Sequence, residues 1–265
     1  MKKFNYEKKL YSTREKINLP ILNSGVIDIL PRELGSLRGK VLDIGCGAGY
    51  YSGGILKKKF PKLEVYGVDV SRNAIGTAKK DFPQVRFVVG DVYKLPFPDS
   101  YFDAITSNCT LEHLEKPKEA LREIRRIMKK NAFFFSITPI EGDKFVFFQD
   151  ETLAKRFHGH LQRFSKSDLI NLMENNGFKI IRYYFWGFFL CQLVSGVYLR
   201  LFKFLNLPRE FQIKNYIESG NPALQKRLLT YIRYFVNILI NLESLLIPKK
   251  ATGLYMNIVA KKTWD

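Results

Sequence analysis

Short apolar runs alternate with amphipathic stretches between Lys40 and about Thr138. This alternation is typical of parallel sheets that are built from strand–helix–strand crossovers. It predicts five strands, at residues 41–44, 65–68, 85–89, 102–106 and 132–138. It also predicts helices at residues 50–59, 71–81 and 118–130. In the last of these helices the apolar residues recur at helical spacing, so we expect that face to be buried in the core.

The chain after Pro139 begins with an irregular segment and then predicts one more helix. Ser165 and Ser167 are both candidates for the residue that caps its start, and Gly177 is placed to end it. Strands at 178–185 and 254–260 follow, separated by a long interval, so the sheet is interrupted and then completed at the end of the printed sequence. The pattern predicts an α/β fold with a seven-stranded, mostly parallel sheet and helices on both faces.

The spacing of these elements divides the chain into four parts. We predict an N-terminal helical segment at 1–39, a core at 40–186, a helical insertion at 187–253 and the final strand of the core sheet at 254–265. The insertion is apolar and basic. Two interpretations stay open for it: a pair of hydrophobic helices that packs over the sheet, or a cap that contacts a membrane surface. A membrane-spanning helix is less favoured, because Gln192 and Ser195 interrupt the most apolar stretch.

The composition of the chain limits the classes of binding partner that we expect. A formal net charge of +18 favours polyanions, such as nucleic acid, an anionic membrane or acidic metabolites, although simple solubility also explains it. The three cysteines are scattered, which fits neither a disulfide framework nor a zinc site, and no export signal is evident. His158 and His160 lack the spacing of common zinc motifs, so we predict no metal. We expect a cytoplasmic protein; the sequence predicts no oligomeric state.

The first predicted strand leads into three glycines at alternate positions, Gly45, Gly47 and Gly49. A backbone that turns tightly and approaches a ligand closely favours glycine, which has no Cβ. Asp69 ends the second strand, where a carboxylate can accept hydrogen bonds from both hydroxyls of a ribose. Asp91 follows the third strand, and this additional acid is not expected of a nicotinamide-dependent dehydrogenase.

Together with the segments 107–114 and 119–129, these residues resemble the class I methyltransferases that use S-adenosylmethionine (SAM), of the type that includes the ubiquinone and menaquinone biosynthesis enzymes. The resemblance implies a Rossmann-like fold and SAM as the cofactor. It implies that Asp43 and the turn Gly45-Cys46-Gly47-Ala48-Gly49 hold the methionine end. It assigns Asp69 to the ribose, and Val70, Asp91 and Val92 to the adenine. The Asn108 backbone is expected to bind the methionine ammonium group.

The acceptor of the methyl group is less constrained by the sequence. The resemblance places His113 near the transferred methyl, which makes it a candidate general base, and makes His158 and His160 candidates for substrate binding; a structural role is open for each. A lipid, quinone or lipid-linked acceptor explains the apolar insertion and the charge together. A soluble metabolite and a non-catalytic, SAM-binding regulatory protein are the alternatives. Nucleic acid is disfavoured because no base-reading motif is present.

Overall fold

The computed structural model describes residues 37–140, 160–186 and 255–263. Within them, seven strands and four helices longer than one turn follow the order of the chain. The strands are β1 (Lys40–Ile44), β2 (Glu64–Asp69), β3 (Arg86–Val89), β4 (Phe102–Asn108), β5 (Met128–Pro139), β6 (Phe178–Trp186) and β7 (Tyr255–Lys262). The helices are α1 (Tyr50–Lys57), α2 (Arg72–Asp81), α3 (Pro117–Ile127) and α4 (Lys166–Glu174), and a short 3₁₀ turn spans Leu111–His113.

The seven strands form one sheet in the order β3-β2-β1-β4-β5-β7-β6. Strands β1 to β5 pair in parallel, whereas β7 runs antiparallel to both β5 and β6. The last strand therefore enters between two strands formed earlier in the chain. This confirms the predicted fold, a mostly parallel seven-stranded sheet that is completed at the end of the printed sequence.

Alternate residues along β1 belong to different cores. Leu42 packs in a cluster with the buried face of α3 and with α4, whereas Val41 packs with residues of α1 and α2. Since successive side chains of a strand point to opposite faces, the two clusters mark the two sides of the sheet. Helices therefore cover both faces, as the sequence predicts. The predicted buried stripe of α3 is also confirmed, because Leu121 and Ile124 are fully buried.

The helix boundaries show which local signals the chain uses. Ser165 rather than Ser167 caps α4: its hydroxyl accepts from the Asp168 N–H, and the Asp168 carboxylate accepts from the Ser165 N–H. Helix α3 ends three residues earlier than predicted, because Met128 is already extended and pairs with Phe102. A bulge then separates that pair from the pair Ala104–Phe133. Helix α1 is wound as a π-helix, a rare form that occurs at functional sites.

Arg126 ties the loop after β3 to helix α3. Its guanidinium donates to both carboxylate oxygens of Glu123, at 2.8 and 2.7 Å, and to the carbonyls of Leu95 and Phe97, at 3.1 and 3.0 Å. It also pairs with Asp99. Glu123 in turn accepts from the Leu95 N–H at 2.7 Å. The Arg126 side chain therefore fixes the position of the loop that begins at the carboxyl end of β3.

The predicted segment 1–39, apart from residues 37–39, and the predicted insertion 187–253 lie outside the described residues, as does His158. The division into four parts therefore stays a prediction. Among the helices that the structure describes, none has both the length and the apolar character needed to cross a membrane.

We expect Arg126→Ala to lower the free energy of unfolding by about 2–3 kcal/mol, because it leaves the half-buried Glu123 without its charged partner and removes two bonds to the loop backbone. Arg122→Ala is the matched control, since Arg122 is exposed on the same helix. Chemical denaturation of both variants measures the difference. Equal stability of the two variants would contradict the role given to Arg126.

Candidate active site

The carboxyl ends of four parallel strands lie side by side at one edge of the sheet. Ile44 at the end of β1 is in register with Val68 of β2 and with Ser107 of β4. Asp69 at the end of β2 is in register with Val89 of β3. Since neighbouring strands are about 4.8 Å apart, the loops that follow these residues form one continuous rim. Ligands of open α/β sheets bind at such an edge, near the point where the strand order reverses.

The glycine turn after β1 is fixed by hydrogen bonds to β2. The N–H groups of Gly45 and Cys46 both donate to the Val68 carbonyl, at 2.9 and 3.1 Å. Gly45 and Gly49 have positive φ angles of 68° and 79°, which favour glycine. A Cβ on Gly45 would lie 2.4 Å from the Thr110 hydroxyl, and one on Gly49 would lie 2.6 Å from the Phe87 ring. The positions of Gly45 and Gly49 therefore have no room for a side chain.

Asp43 is buried just before this turn, with 1% of its surface exposed. Its carboxylate accepts hydrogen bonds from the hydroxyls of Ser52 in α1 and Thr106 in β4. The two hydroxyls lower the pKa of Asp43, but burial raises it by more, and the resulting pKa is about 7. In this position Asp43 connects the turn to two elements of the core. A direct contact with the methionine end stays a prediction.

Cys46 lies inside the turn and is also buried. Burial raises the pKa of its thiol far above the usual range, and the neighbouring Asp43 and Asp69 add to the shift. The side chain packs in the cluster formed with α1 and α2. Its contribution is therefore that of a small apolar residue, and its predicted role at the cofactor rests on its backbone position.

Asp69 and Val70 lie next to this turn at the end of β2. One Asp69 oxygen accepts from the Gly47 N–H and the other from the Ser71 N–H, both at 2.9 Å. A carboxylate has about four lone-pair positions and can accept more than two hydrogen bonds. The Val70 side chain is 63% exposed although it is apolar. An exposed valine beside an anchored carboxylate is the arrangement that a nucleoside needs.

Asp91 and Val92 follow β3, the strand that pairs with β2. Asp91 is exposed, and one of its oxygens accepts from the Tyr93 N–H at 3.0 Å. Val92 is half-buried and packs against the core. The Gly90 N–H donates to the Asp69 carbonyl at 3.0 Å, which fixes the two loops relative to each other. The structure thus brings together the residues predicted for ribose and adenine.

The segment after β4 forms the other side of the glycine turn. The Thr110 hydroxyl donates to the Ile44 carbonyl at 3.1 Å and also lies 3.3 Å from the Asn108 carbonyl. Cys109 has a φ of 50°, unusual for a residue with a side chain. The buried Ser107 hydroxyl has no hydrogen-bond partner within the described residues. Asn108 is therefore at the predicted place, beside the glycine turn.

Glu112, His113 and His160 form a polar cluster beyond this segment. The His113 Nε2 atom lies 3.8 Å from a Glu112 oxygen, and the rings of His113 and His160 are 5.1 Å apart in an edge-to-face arrangement. Burial raises the pKa of Glu112 to about 8. Glu112 was not among the predicted site residues. The signal available in the sequence is a carboxylate between apolar residues, in Leu111-Glu112-His113-Leu114.

The edge of the sheet fits SAM on three observations. The glycine turn has no space for a Cβ at two of its positions. An apolar residue, Val70, is exposed directly after the Asp69 carboxylate, at the end of the strand that pairs with β3. A buried hydroxyl at the end of β4 lacks a partner among the described residues. Backbone, apolar surface and carboxylates are the groups that a charged amino-acid tail, a base and a ribose respectively require.

Comparison with known proteins agrees with this geometry. Residues 42–136 match the family described as a methyltransferase domain. The matched stretch contains the whole rim of loops from β1 to β4, together with α3 and most of β5. At the level of this domain, the predicted resemblance, the enzyme class and SAM as the cofactor are confirmed.

Individual relatives give the same result. A demethylmenaquinone methyltransferase of Thermotoga maritima is 40% identical over 91 residues, which cover 34% of this chain and 39% of that protein. A ubiquinone/menaquinone biosynthesis C-methyltransferase of Burkholderia mallei is 28% identical over 172 residues, which cover 55% of this chain and 70% of that protein. The solved structure of phosphoethanolamine N-methyltransferase 2 of Haemonchus contortus, in complex with SAM, matches with a TM-score of 0.56. That match has 17% identity and covers 90% of this chain and 52% of the other.

These matches cover only part of the length of most of the relatives. Six of the curated relatives are matched over only 26–42% of their own length. The structural match, at 17% identity, shows the fold. The similarity to these six relatives is thus confined to less than half of their length.

We expect Asp43→Asn to change how the stability of the ligand-free protein depends on pH. The folded-state pKa of Asp43, about 7, is above its ordinary value of 3.8, so its carboxyl stabilises the fold below pH 4 and that contribution is lost as pH rises towards 7. The loss reaches about 4 kcal/mol at 1.36 kcal/mol per pKa unit. The free energy of unfolding, measured from pH 4 to 8, should fall more steeply for the wild type than for the variant. Parallel curves would contradict this account.

Proposed function

We propose that the chain catalyses transfer of a methyl group from SAM to a small-molecule acceptor that is a lipid, a quinone or a lipid-linked intermediate. Two carboxylates at adjacent strand ends support it most: Asp69 ends β2 directly before the exposed Val70, and Asp91 follows β3, which is paired with β2. A loop carboxylate alone has many structural uses. Two of them at neighbouring strand ends, with an exposed apolar residue and a glycine turn nearby, favour a nucleoside as the ligand.

SAM, when bound, supplies a methyl group on a positively charged sulfur, and the acceptor takes it by in-line displacement as the sulfur–carbon bond breaks and S-adenosylhomocysteine leaves. Because this donor is already activated, the task of the protein is to orient the acceptor. Proximity and orientation supply roughly 7–11 kcal/mol in favourable cases. In this chain the rim of loops between β1 and β4 provides the fixed side of that arrangement. Its hydrogen bonds to Val68 and Asp69 hold it rigid before ligands arrive.

His113 and His160 are the polar side chains that we place at the acceptor end. They follow the segment whose Thr110 packs on the glycine turn, so they lie beyond the end predicted for methionine. If the acceptor loses a proton as it is methylated, His113 is the candidate base, since an imidazole titrates near neutral pH. His160 is the candidate for contact with the acceptor.

Two observations support a lipid acceptor over a soluble one. The Thermotoga maritima relative is named for demethylmenaquinone and the Burkholderia mallei relative for ubiquinone and menaquinone biosynthesis, and these compounds are lipid quinones. The predicted insertion carries nine Lys or Arg against three Glu between residues 200 and 250, within an apolar sequence. Basic and apolar residues together favour an anionic lipid surface. We therefore propose a peripheral, cytoplasmic position at the membrane, with a soluble metabolite as the alternative acceptor.

Label transfer tests this proposal. The full chain is incubated with methyl-labelled SAM and liposomes made from total lipid extract of its source, and label is measured in the organic phase. Asp69→Asn should lose about 10- to 100-fold in SAM affinity, because one charged hydrogen bond is worth about 1.5–3 kcal/mol. Its transfer rate at low SAM should fall in parallel. Glu174→Gln is the matched control, because Glu174 is an exposed carboxylate at the end of α4.

The outcomes separate the two parts of the proposal. Labelled lipid that depends on Asp69 supports both the activity and the acceptor class. A parallel incubation replaces the liposomes with the water-soluble extract of the same source, and label in a water-soluble product there, with none in the lipid, supports the activity and overturns the lipid acceptor. SAM binding that Asp69→Asn leaves unchanged overturns the site itself.

A further inference from the structure

Three side chains of types that can bind a metal converge at a place that the spacing of residues in the sequence did not predict. One ligand atom from each of Glu112, His113 and His160 can be chosen so that all three lie within 4.8 Å of one another. The sequence-based prediction of no metal considered the spacing of His158 and His160. In the structure the relevant histidine pair is His113 and His160, which are 47 positions apart in the chain.

The backbone holds these residues together. The N–H groups of Leu161 and Gln162 both donate to the Glu112 carbonyl, at 2.8 and 2.9 Å. The Gln162 side-chain amide donates to the Leu114 carbonyl at 3.0 Å. These bonds fix the residues that follow His160 against the turn that carries Glu112 and His113. The cluster is therefore built by the fold and does not depend on long, mobile side chains.

The Glu112 carboxylate is the independent observation that indicates a ligand. Its side chain is 1% exposed, and neither oxygen has a well-formed hydrogen bond within the described residues, although the nearby Cys109 thiol lowers the pKa of the carboxyl. A buried polar group without such bonds destabilises a protein, and a buried carboxylate does so strongly. Buried charges in proteins are paired or coordinate metals. A cation between Glu112 and the two imidazoles would satisfy this requirement.

We propose that Glu112, His113 and His160 form a binding site for a divalent transition-metal ion of the zinc class. Two imidazoles and one carboxylate are the protein ligands of catalytic zinc sites, which keep a further position for water or substrate. Mg²⁺ and Ca²⁺ fit this set poorly, because they prefer six or more oxygen ligands. Imidazole nitrogen favours zinc and its neighbours in the transition series.

The distances require only a small adjustment. Ligand atoms at about 2.1 Å from a tetrahedral zinc lie about 3.4 Å from one another. The Glu112 Oε1 atom and the His113 Nε2 atom are already 3.8 Å apart. The whole set spans at most 4.8 Å, so shifts of the side chains by roughly 1 Å would close it around an ion.

The site lies at the acceptor end, and this part of the inference rests on the proposed function. Thr110, two positions before Glu112, packs on the glycine turn, so the open position of the metal is near the proposed methyl acceptor. A hydroxyl or carboxylate oxygen of the acceptor would occupy it, and the metal would lower the pKa of that oxygen. A metal-bound His113 cannot serve as the general base, so the two roles are alternatives.

The test measures metal binding without SAM and SAM binding without metal. The full chain, freed of any affinity tag and of metal by a chelator, is titrated with Zn²⁺, and Co²⁺ is added separately to record its ligand-field absorption spectrum. We expect one ion per chain. Glu112→Gln, His113→Ala and His160→Ala should each weaken Zn²⁺ binding by about 100-fold or more, since even second-shell changes cost 10- to 100-fold. Glu115→Gln, an exposed carboxylate three positions along, should bind as the wild type does.

Binding of less than one ion per chain to the wild type, or equal binding by the wild type and the three ligand variants, would overturn the proposal. A tetrahedral Co²⁺ spectrum that disappears in His160→Ala supports it even if a ligand variant is less stable, because thermal unfolding identifies a misfolded variant. SAM binding by the metal-free protein is scored separately. Its loss would contradict the proposed function and leave the metal site intact.

Discussion

The turn after β1 is the constraint on which the rest of the site depends. The backbone of Gly45 and Cys46 must reach the Val68 carbonyl of the next strand, and the Gly47 N–H must reach Asp69. Those bonds force positive φ angles, which exclude larger residues, and they bring the turn against Thr110. Once this geometry is set, the ends of β2, β3 and β4 are placed around it by parallel register alone. The proposed nucleoside site is therefore largely a consequence of backbone hydrogen bonding.

Two buried carboxylates give this rim its electrostatic character, and they differ in how they are compensated. Asp43 has two hydroxyl donors, from Ser52 and Thr106, which connect the turn to α1 and β4. Glu112 lacks well-formed donors among the described residues, although its neighbours are two imidazoles. Asp43 is thus satisfied by the protein, whereas Glu112 has the surroundings of a ligand site. Asp43 supports the glycine turn, and Glu112 belongs to the proposed metal site.

The sequence predicts the fold well because its signals are local. Apolar runs, the capping serines and Gly177 locate the strands and helices to within a few residues. The order of the strands was not predicted, and the structure supplies it. The end of α3 is the exception, since Met128 leaves the helix to pair with Phe102, a tertiary contact that overrides helical periodicity.

The candidate site is predictable in part, for the same reason. Asp69, Val70 and Asp91 each follow a strand directly, so their proximity follows from parallel register. Glu112 and His160 come together through backbone bonds from Leu161 and Gln162, which link segments nearly 50 positions apart in the chain. Sequence spacing carries no record of such a contact. His158 and the insertion 187–253 lie outside the described residues, so their predicted roles rest on sequence alone.

We propose that the rim between β1 and β4 binds the nucleoside and the amino-acid tail of SAM. A crystal structure of the chain with S-adenosylhomocysteine is the experiment to do first. We expect the ribose hydroxyls to contact the Asp69 carboxylate and the adenine to pack against Val70 with its amino group at Asp91. We expect the homocysteine tail at the glycine turn. Binding of the nucleoside elsewhere, or a ribose that makes no contact with Asp69, would contradict the claim.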